Sequence, residues 1–205
     1  MDFGQIFAII IGMIFVNNFV FARFLGLCPY MGLTKEMSSA IGMGMAVVFV
    51  MTLASMATWP VYRYFLDPFG LERILRTASF ILVIAALVQF IEMVLQKVNP
   101  ALYKAMGIYL PIITTNCTIL GVAVLNIDTF YKDGKPLSGG FLGSIIQGFS
   151  AGIGFTLAMV LMASVRERME MANIPKPLRG IPIAFITAGL MSMAFLGFSG
   201  LIKMT

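Results

Sequence analysis

Asn17-Asn18-Phe19-Val20-Phe21-Ala22-Arg23-Phe24-Leu25-Gly26-Leu27-Cys28-Pro29-Tyr30-Met31-Gly32 closes an apolar stretch that runs from Phe3 to Leu33 with a single charge in it, Arg23. A straight helix of that length would reach roughly 46 Å at 1.5 Å per residue, against a hydrocarbon core of about 30 Å. The segment must therefore be broken, unwound or re-entrant. It carries the residues to do so: the Asn17-Asn18 pair midway, then Gly26, Cys28-Pro29 and Gly32. Irregular backbone at membrane depth survives only where protein or a cavity covers it. A broken first segment therefore predicts a bundle around it.

The composition agrees with a membrane setting. Hydrophobic residues make up 60% of the 205 and charged residues 11%, where a soluble domain carries roughly a quarter charged. The net charge of +5 is spread over short connections with no basic run. That pattern suits contact with membrane lipid and excludes nucleic acid as a partner. Histidine is absent, which excludes proton relays, haem ligation and zinc sites built on imidazole within the chain. Only Asp2 precedes the first apolar run and no cleavage pattern follows it, so that run is expected to stay as a membrane helix.

Six spans are read: about 3–22 with a tail to 33, 38–60, 76–97, 105–126, 140–164 and 180–202. The charges sit between them, and Asn126 to Gly140 reads as the longest polar loop. The chain then folds onto itself as two repeats, 1–98 and 99–205, within one membrane domain. The first segment of each is polar, interrupted and cysteine-bearing; the fourth has Pro111, Thr114, Thr115, Asn116, Cys117 and Gly121, although its length alone would permit a straight helix. The second of each is rich in small residues, Gly42, Gly44 and Ala46 against Gly148, Gly152 and Gly154. The third of each opens on an arginine, Arg76 or Arg179. Three spans per repeat insert the second repeat from the opposite side. The expected fold class is an all-α integral membrane protein with six transmembrane helices in a 3+3 inverted repeat, first and fourth interrupted, and sites of such folds form near the midplane at the broken helices. Eight cationic residues flank one side and six the other, which places the N-terminus outside.

Cys28 and Cys117 lie in matching C-x-x-x-G settings, one per repeat. Free cysteine is ordinarily a small buried hydrophobe, and two could also form a disulfide. The paired setting, the proline after Cys28 and the interrupted helices favour a third reading. Two thiols are half of what an iron–sulfur cluster needs, with two more from a partner. Glycine near the thiolates would let backbone N–H groups reach sulfur. Asn17, Asn18, Asn116 and Asn126 are costly in hydrocarbon; they are read as an ion path, as support for the cysteine loops, or as interhelical hydrogen bonds. Glu92 is the one acid well inside a span, with Gln89 and Gln96 a turn away; it is either functional or paired with Lys97 near the helix end. Arg23 is read as snorkelling to the interface. The 17 methionines are packing filler, and Gly148-x-x-x-Gly152 is a close-packing site.

Val16-Asn17-Asn18-Phe19-Val20, Phe24-Leu25-Gly26-Leu27-Cys28-Pro29 and Leu110-Pro111-Ile112-Ile113-Thr114-Thr115-Asn116-Cys117 resemble the A-subunit family of the Rnf complexes. The resemblance runs nearly end to end and includes Ser79-Phe80-Ile81-Leu82-Val83-Ile84, Arg166-Glu167-Arg168 and Ile186-Thr187-Ala188-Gly189-Leu190-Met191. It implies a membrane electron-relay component of an ion-translocating ferredoxin:NAD oxidoreductase, coupled to sodium or proton movement across a prokaryotic inner membrane. It implies a partner, the homologous six-helix Rnf E-subunit of opposite orientation, the two together giving four cysteines to one shared [2Fe-2S] cluster, alongside the B-, C-, D- and G-subunits. Carried onto this chain, the ligands are Cys28 and Cys117. The sister protein of the sodium-pumping NADH:quinone oxidoreductase has Glu-Asn where this chain has Asn17-Asn18. That sister's role, a small secondary transporter on the same repeat and a purely structural scaffold are the alternatives. A redox centre between inverted halves would change the cost of nearby ions, and so the balance between inward-open and outward-open arrangements.

Overall fold

The computed structural model describes residues 3–66, 72–98, 110–132, 135–136, 140–171, 175 and 180–198. The first apolar segment is broken, as its length requires. Helix α1 (Phe3–Ile11) widens into a π-helical stretch, Gly12–Val16, and stops at Asn17. The short helices α2 (Phe19–Arg23) and α3 (Leu27–Leu33) follow. Next come α4 (Met37–Val61), running on through π turns Tyr62–Leu66, and α5 (Glu72–Val98). The fourth segment is broken too, into α6 (Leu110–Thr114) and α7 (Cys117–Phe130). A two-residue antiparallel pair, β1 (Tyr131–Lys132) with β2 (Lys135–Pro136), leads to α8 (Gly140–Glu170) and α9 (Ile181–Leu196).

Four of these stretches are long and apolar enough to cross a membrane: Met37–Leu66, Leu75–Met93, Ile112–Phe130 and Gly140–Met169. The chain is an all-α, multi-pass membrane protein. The first and sixth expected spans give shorter apolar helices, Ile6–Val16 and Ile181–Leu196. The first is cut by the break at Asn17-Asn18. The end of the sixth, residues 199–202, lies outside the described residues, as do Gln96's side chain, Arg179 and most of the connection from Lys97 to Lys104.

Several boundaries differ from the sequence reading, and packing explains two of them. Helix α4 does not end at Pro60. Tyr62 and Leu66 are buried beyond it, and the Tyr62 ring stands edge-on to Tyr131 at 4.9 Å between centroids. That burial outweighs the one backbone bond a proline removes. Helix α7 continues four residues into the expected polar loop, to Phe130. Asn126 there is buried, and its amide donates to Ser55 Oγ at 3.0 Å and to the Ser144 carbonyl at 3.4 Å.

The centre of the molecule is the contact between α4 and α8, the small-residue helices of the two halves. A Cβ placed on Gly152 would stand 2.7 Å from Val48 Cα, and one on Gly44 2.5 Å from the Thr156 methyl. Small residues let the backbones approach, which in lipid is the main source of helix association. Met43, Met51, Met159 and Met162 fill the space around the contact, fully buried.

Candidate metal centre at the two helix breaks

Both breaks are built on one device. A helix start leaves its first N–H groups without intrahelical acceptors, and an asparagine side chain at the N-cap supplies one. Asn18 caps α2, its Oδ1 accepting from the Val20 N–H at 3.1 Å. Asn116 caps α7, its Oδ1 accepting from the Thr118 N–H at 3.0 Å. Both asparagines are buried. Asn18 also donates its amide to the Ile14 carbonyl at 3.1 Å and, across the bundle, to the Gly154 carbonyl at 2.8 Å. The Ile14 carbonyl lies in the turn that the break opens, so one side chain closes both ends of the first gap.

Between α2 and α3 the chain turns through two left-handed residues, Phe24 at φ 54° and Gly26 at φ 78°. A bulky residue rarely adopts that conformation; the Phe24 ring is about half exposed. At Gly26 the requirement is absolute, because a Cβ would strike the Thr118 hydroxyl and come within 2.8 Å of the Phe155 ring. Pro29 is the third residue of α3, where its missing N–H has no helical acceptor in any case.

This turn carries the first break to the second. The Gly26 N–H donates to Cys117 Sγ at 2.9 Å, joining residues 91 apart in sequence. Gly26 is two residues from Cys28, the second residue of α3, while Cys117 opens α7. The turn two residues before Cys28 thus meets Cys117 at the start of α7. Both cysteines are free and both are exposed, which argues against the buried-hydrophobe reading. The glycine that approaches sulfur is not one of the pair in the C-x-x-x-G settings. Gly32 has open space around its Cα, and Gly121 packs on Leu25 and Phe19.

The surroundings brace the junction. The last turn of a helix leaves carbonyls unpaired, and two side chains from the second half take them up. Arg166 donates to the Met31 carbonyl at 2.8 Å and to Thr34 Oγ1 at 3.0 Å, at the end of α3. Ser192 on α9 donates to the Phe21 carbonyl of α2 at 2.6 Å. Sequence reading took Gly26 as a helix breaker and Arg166 as a connecting charge, and did not single out Thr118 or Ser192. The one signal available was that Gly26 and Asn116 each stand just before a cysteine-bearing helix.

The other candidates lie elsewhere. Asn17 is half-buried and lines a cleft of about 270 Å³ with Phe15, Phe21, Ala22 and Ser192. Glu92 is half-buried on α5, in line with buried Ile84 and Val88, whereas Gln89 is exposed on another side. Arg23 is exposed and stacks over the Phe19 ring at 5.8 Å.

Among the described residues no three His, Cys, Asp or Glu side chains converge to hold a metal. Two thiolates are an incomplete set for an iron–sulfur cluster, which takes four ligands. An exposed pair with a backbone N–H aimed at one sulfur fits half of such a site.

Comparison with known proteins places the chain. The family model described as Rnf-Nqr subunit, membrane protein, matches residues 6–202. The A-subunit of the ion-translocating oxidoreductase complex of Serratia proteamaculans is 56% identical over 193 residues, covering 94% of this chain and 95% of that protein. Its counterpart in Vibrio cholerae is 54% identical over 196 residues, with 96% and 97% covered, and that of Edwardsiella ictaluri 53% over 195, with 95% and 96%. Matched along almost its whole length, the chain belongs to the Rnf-Nqr family of membrane subunits.

Proposed function

We propose that this chain is the membrane electron-relay component of an ion-translocating ferredoxin:NAD oxidoreductase, and that Cys28 and Cys117 are its two ligands to a [2Fe-2S] cluster completed by a homologous partner, the E-subunit. The observation that carries the reading is the Gly26–Cys117 hydrogen bond, which joins the turn before Cys28 to Cys117, both thiols being exposed. The near-complete match to proteins named as the A-subunit of an ion-translocating oxidoreductase complex supports the electron-transport and ion-translocation setting. Bound there, the cluster would supply one-electron transfer within the membrane.

The chain's own residues do the rest. Asn116 and Gly26 fix where the two cysteine-bearing helices begin; in this reading both sulfurs are offered to the partner. The Gly26 N–H stabilises negative charge on Cys117 Sγ, as hydrogen bonds to ligand sulfur do. The buried core behind the junction, with Phe155 and Phe19 in contact with its glycines, keeps water from that side. The 3+3 inverted arrangement, an inner-membrane location with the N-terminus outside, and sodium or proton as the coupled ion belong to the same proposal.

The test is to purify the complex from membranes and measure iron and the EPR signal after reduction. Iron at two atoms per pair of homologous subunits, lost in Cys28→Ser and in Cys117→Ser with the complex still assembled, supports the relay. An intact, iron-free complex, or serine variants that keep the signal, overturns it.

A further inference from the structure

Two buried polar groups flanking Cys117 have no partner among the described residues: the Asn116 amide nitrogen and the Thr118 hydroxyl. Asn116 is 5% exposed and Thr118 0%. Sealing such a group away without a partner is costly, and beside a metal-ligand candidate the cost has a use. Trp59 Nε1, Asn126 Oδ1 and Gln147 Oε1 are likewise unpaired among the described residues, but the counterparts of these two groups elsewhere in the chain are satisfied. Asn18 makes the same cap and spends its amide on two carbonyls. Thr52, Thr58, Thr156 and Thr187 each donate to the carbonyl four residues back. Thr118 cannot, because the break at Thr115-Asn116 interrupts the helix before it.

The Thr118 hydroxyl lies against Gly26, with the Asn116 side chain beside it. A Cβ there would strike the Thr118 hydroxyl and stand 3.2 Å from Asn116 Oδ1, while Gly26's own N–H is on Cys117 Sγ. A thiol sulfur is a weak acceptor, whereas a metal-bound thiolate carries negative charge and draws donors. We propose that Asn116 and Thr118 are positioning residues whose N–H and O–H groups turn to the Cys117 sulfur when it holds iron. Donors at sulfur stabilise the more negative, reduced state and raise its potential. The proposal rests on the relay reading above.

The experiment is an EPR redox titration of the whole complex. Thr118→Val removes the hydroxyl at nearly constant shape. Asn116→Ser keeps an oxygen to cap α7 and removes the amide. Thr58→Val, whose hydroxyl is bonded within α4, is the control. Each site variant is expected to lower the midpoint potential, with a change of up to about tenfold in the reduced-to-oxidised ratio, about 59 mV for one electron. Thr118→Ser, which keeps the hydroxyl, is expected to stay with the wild type, as is Thr58→Val. A cluster signal whose potential in both site variants equals that of Thr58→Val overturns the proposal. So does failure of both to assemble while Thr118→Ser assembles, since that assigns the pair to folding. A wild-type complex without a cluster on Cys28 and Cys117 sinks the relay reading itself, and is seen before any variant is made.

Discussion

The two cysteine-bearing breaks use the same cap and put it to different ends. At the first, asparagine and cysteine are ten residues apart, separated by α2 and a left-handed turn. Asn18 is there a structural rivet, with every group it owns bonded inside the chain. At the second, Asn116 stands directly before Cys117, and only its oxygen is engaged. Distance from the sulfur separates the two roles. A cap remote from the thiols can be satisfied completely, whereas one beside them keeps donors in hand. The comparison can be broken or sharpened by substitution.

The largest effect is expected at the turn where the breaks touch. Gly26→Ala forces a left-handed backbone on an L residue, at about 1–2 kcal/mol. It also drives a methyl into Thr118 and Phe155, at about 1–3 kcal/mol more for overpacking. A loss of roughly 2–5 kcal/mol in unfolding from mixed micelles should follow, with loss of iron from the complex. Gly32→Ala, four residues beyond Cys28 where a Cβ meets open space, should instead be neutral or gain up to about 1 kcal/mol from helix propensity. Equal effects at the two glycines would mean that the Gly26 junction does not organise the region.

The caps come next. Asn18→Ala removes a cap at about 1 kcal/mol and strips a donor from two carbonyls at about 1 kcal/mol each, for a total near about 3 kcal/mol. Asn116→Ala removes the cap alone and should cost about 1 kcal/mol. Measured side by side by the same denaturation, a ratio near one would erase the contrast between rivet and reserve.

How much of this was legible follows the same physics. The first break was visible because 31 apolar residues exceed the membrane's thickness. The second was ambiguous because a straight helix of its length would fit; only Pro111 and Asn116 hinted otherwise. The contact of the first break with Cys117 was not legible, since it depends on a left-handed Phe24 and on Thr118 and Phe155 closing over Gly26, contacts between residues far apart in sequence. The polar stretch after Asn126 was misread for a related reason. Composition marks Asn126 and Asp128 as loop residues, but tertiary partners, Ser55 for the first and Arg76 for the second, hold them in helix.

Two arginines reach across from the opposite half, one to the Cys28 helix and one to the far end of α7. Arg166, from α8, is half-buried and donates onto the C-terminal end of α3. Its charge meets the negative end of that helix and an otherwise unpaired carbonyl. Arg76, from α5, pairs with Asp128 near the end of α7 at 2.7 Å, with the side chains 29% and 52% exposed. Exposed pairs are worth about 0.2–1 kcal/mol and are screened by salt, whereas charge-assisted bonds in less exposed settings reach about 1.5–3 kcal/mol. Arg166→Gln should therefore cost about 1–2 kcal/mol, little changed between low and high salt. Arg76→Ala should cost a few tenths of a kcal/mol at low salt and nothing at high salt. Cys28 should also alkylate faster in Arg166→Gln while Cys117 does not, because only α3 loses its brace. Salt-sensitive behaviour at Arg166, or equal labelling of the two cysteines, would place its role in surface charge rather than in holding the Cys28 helix.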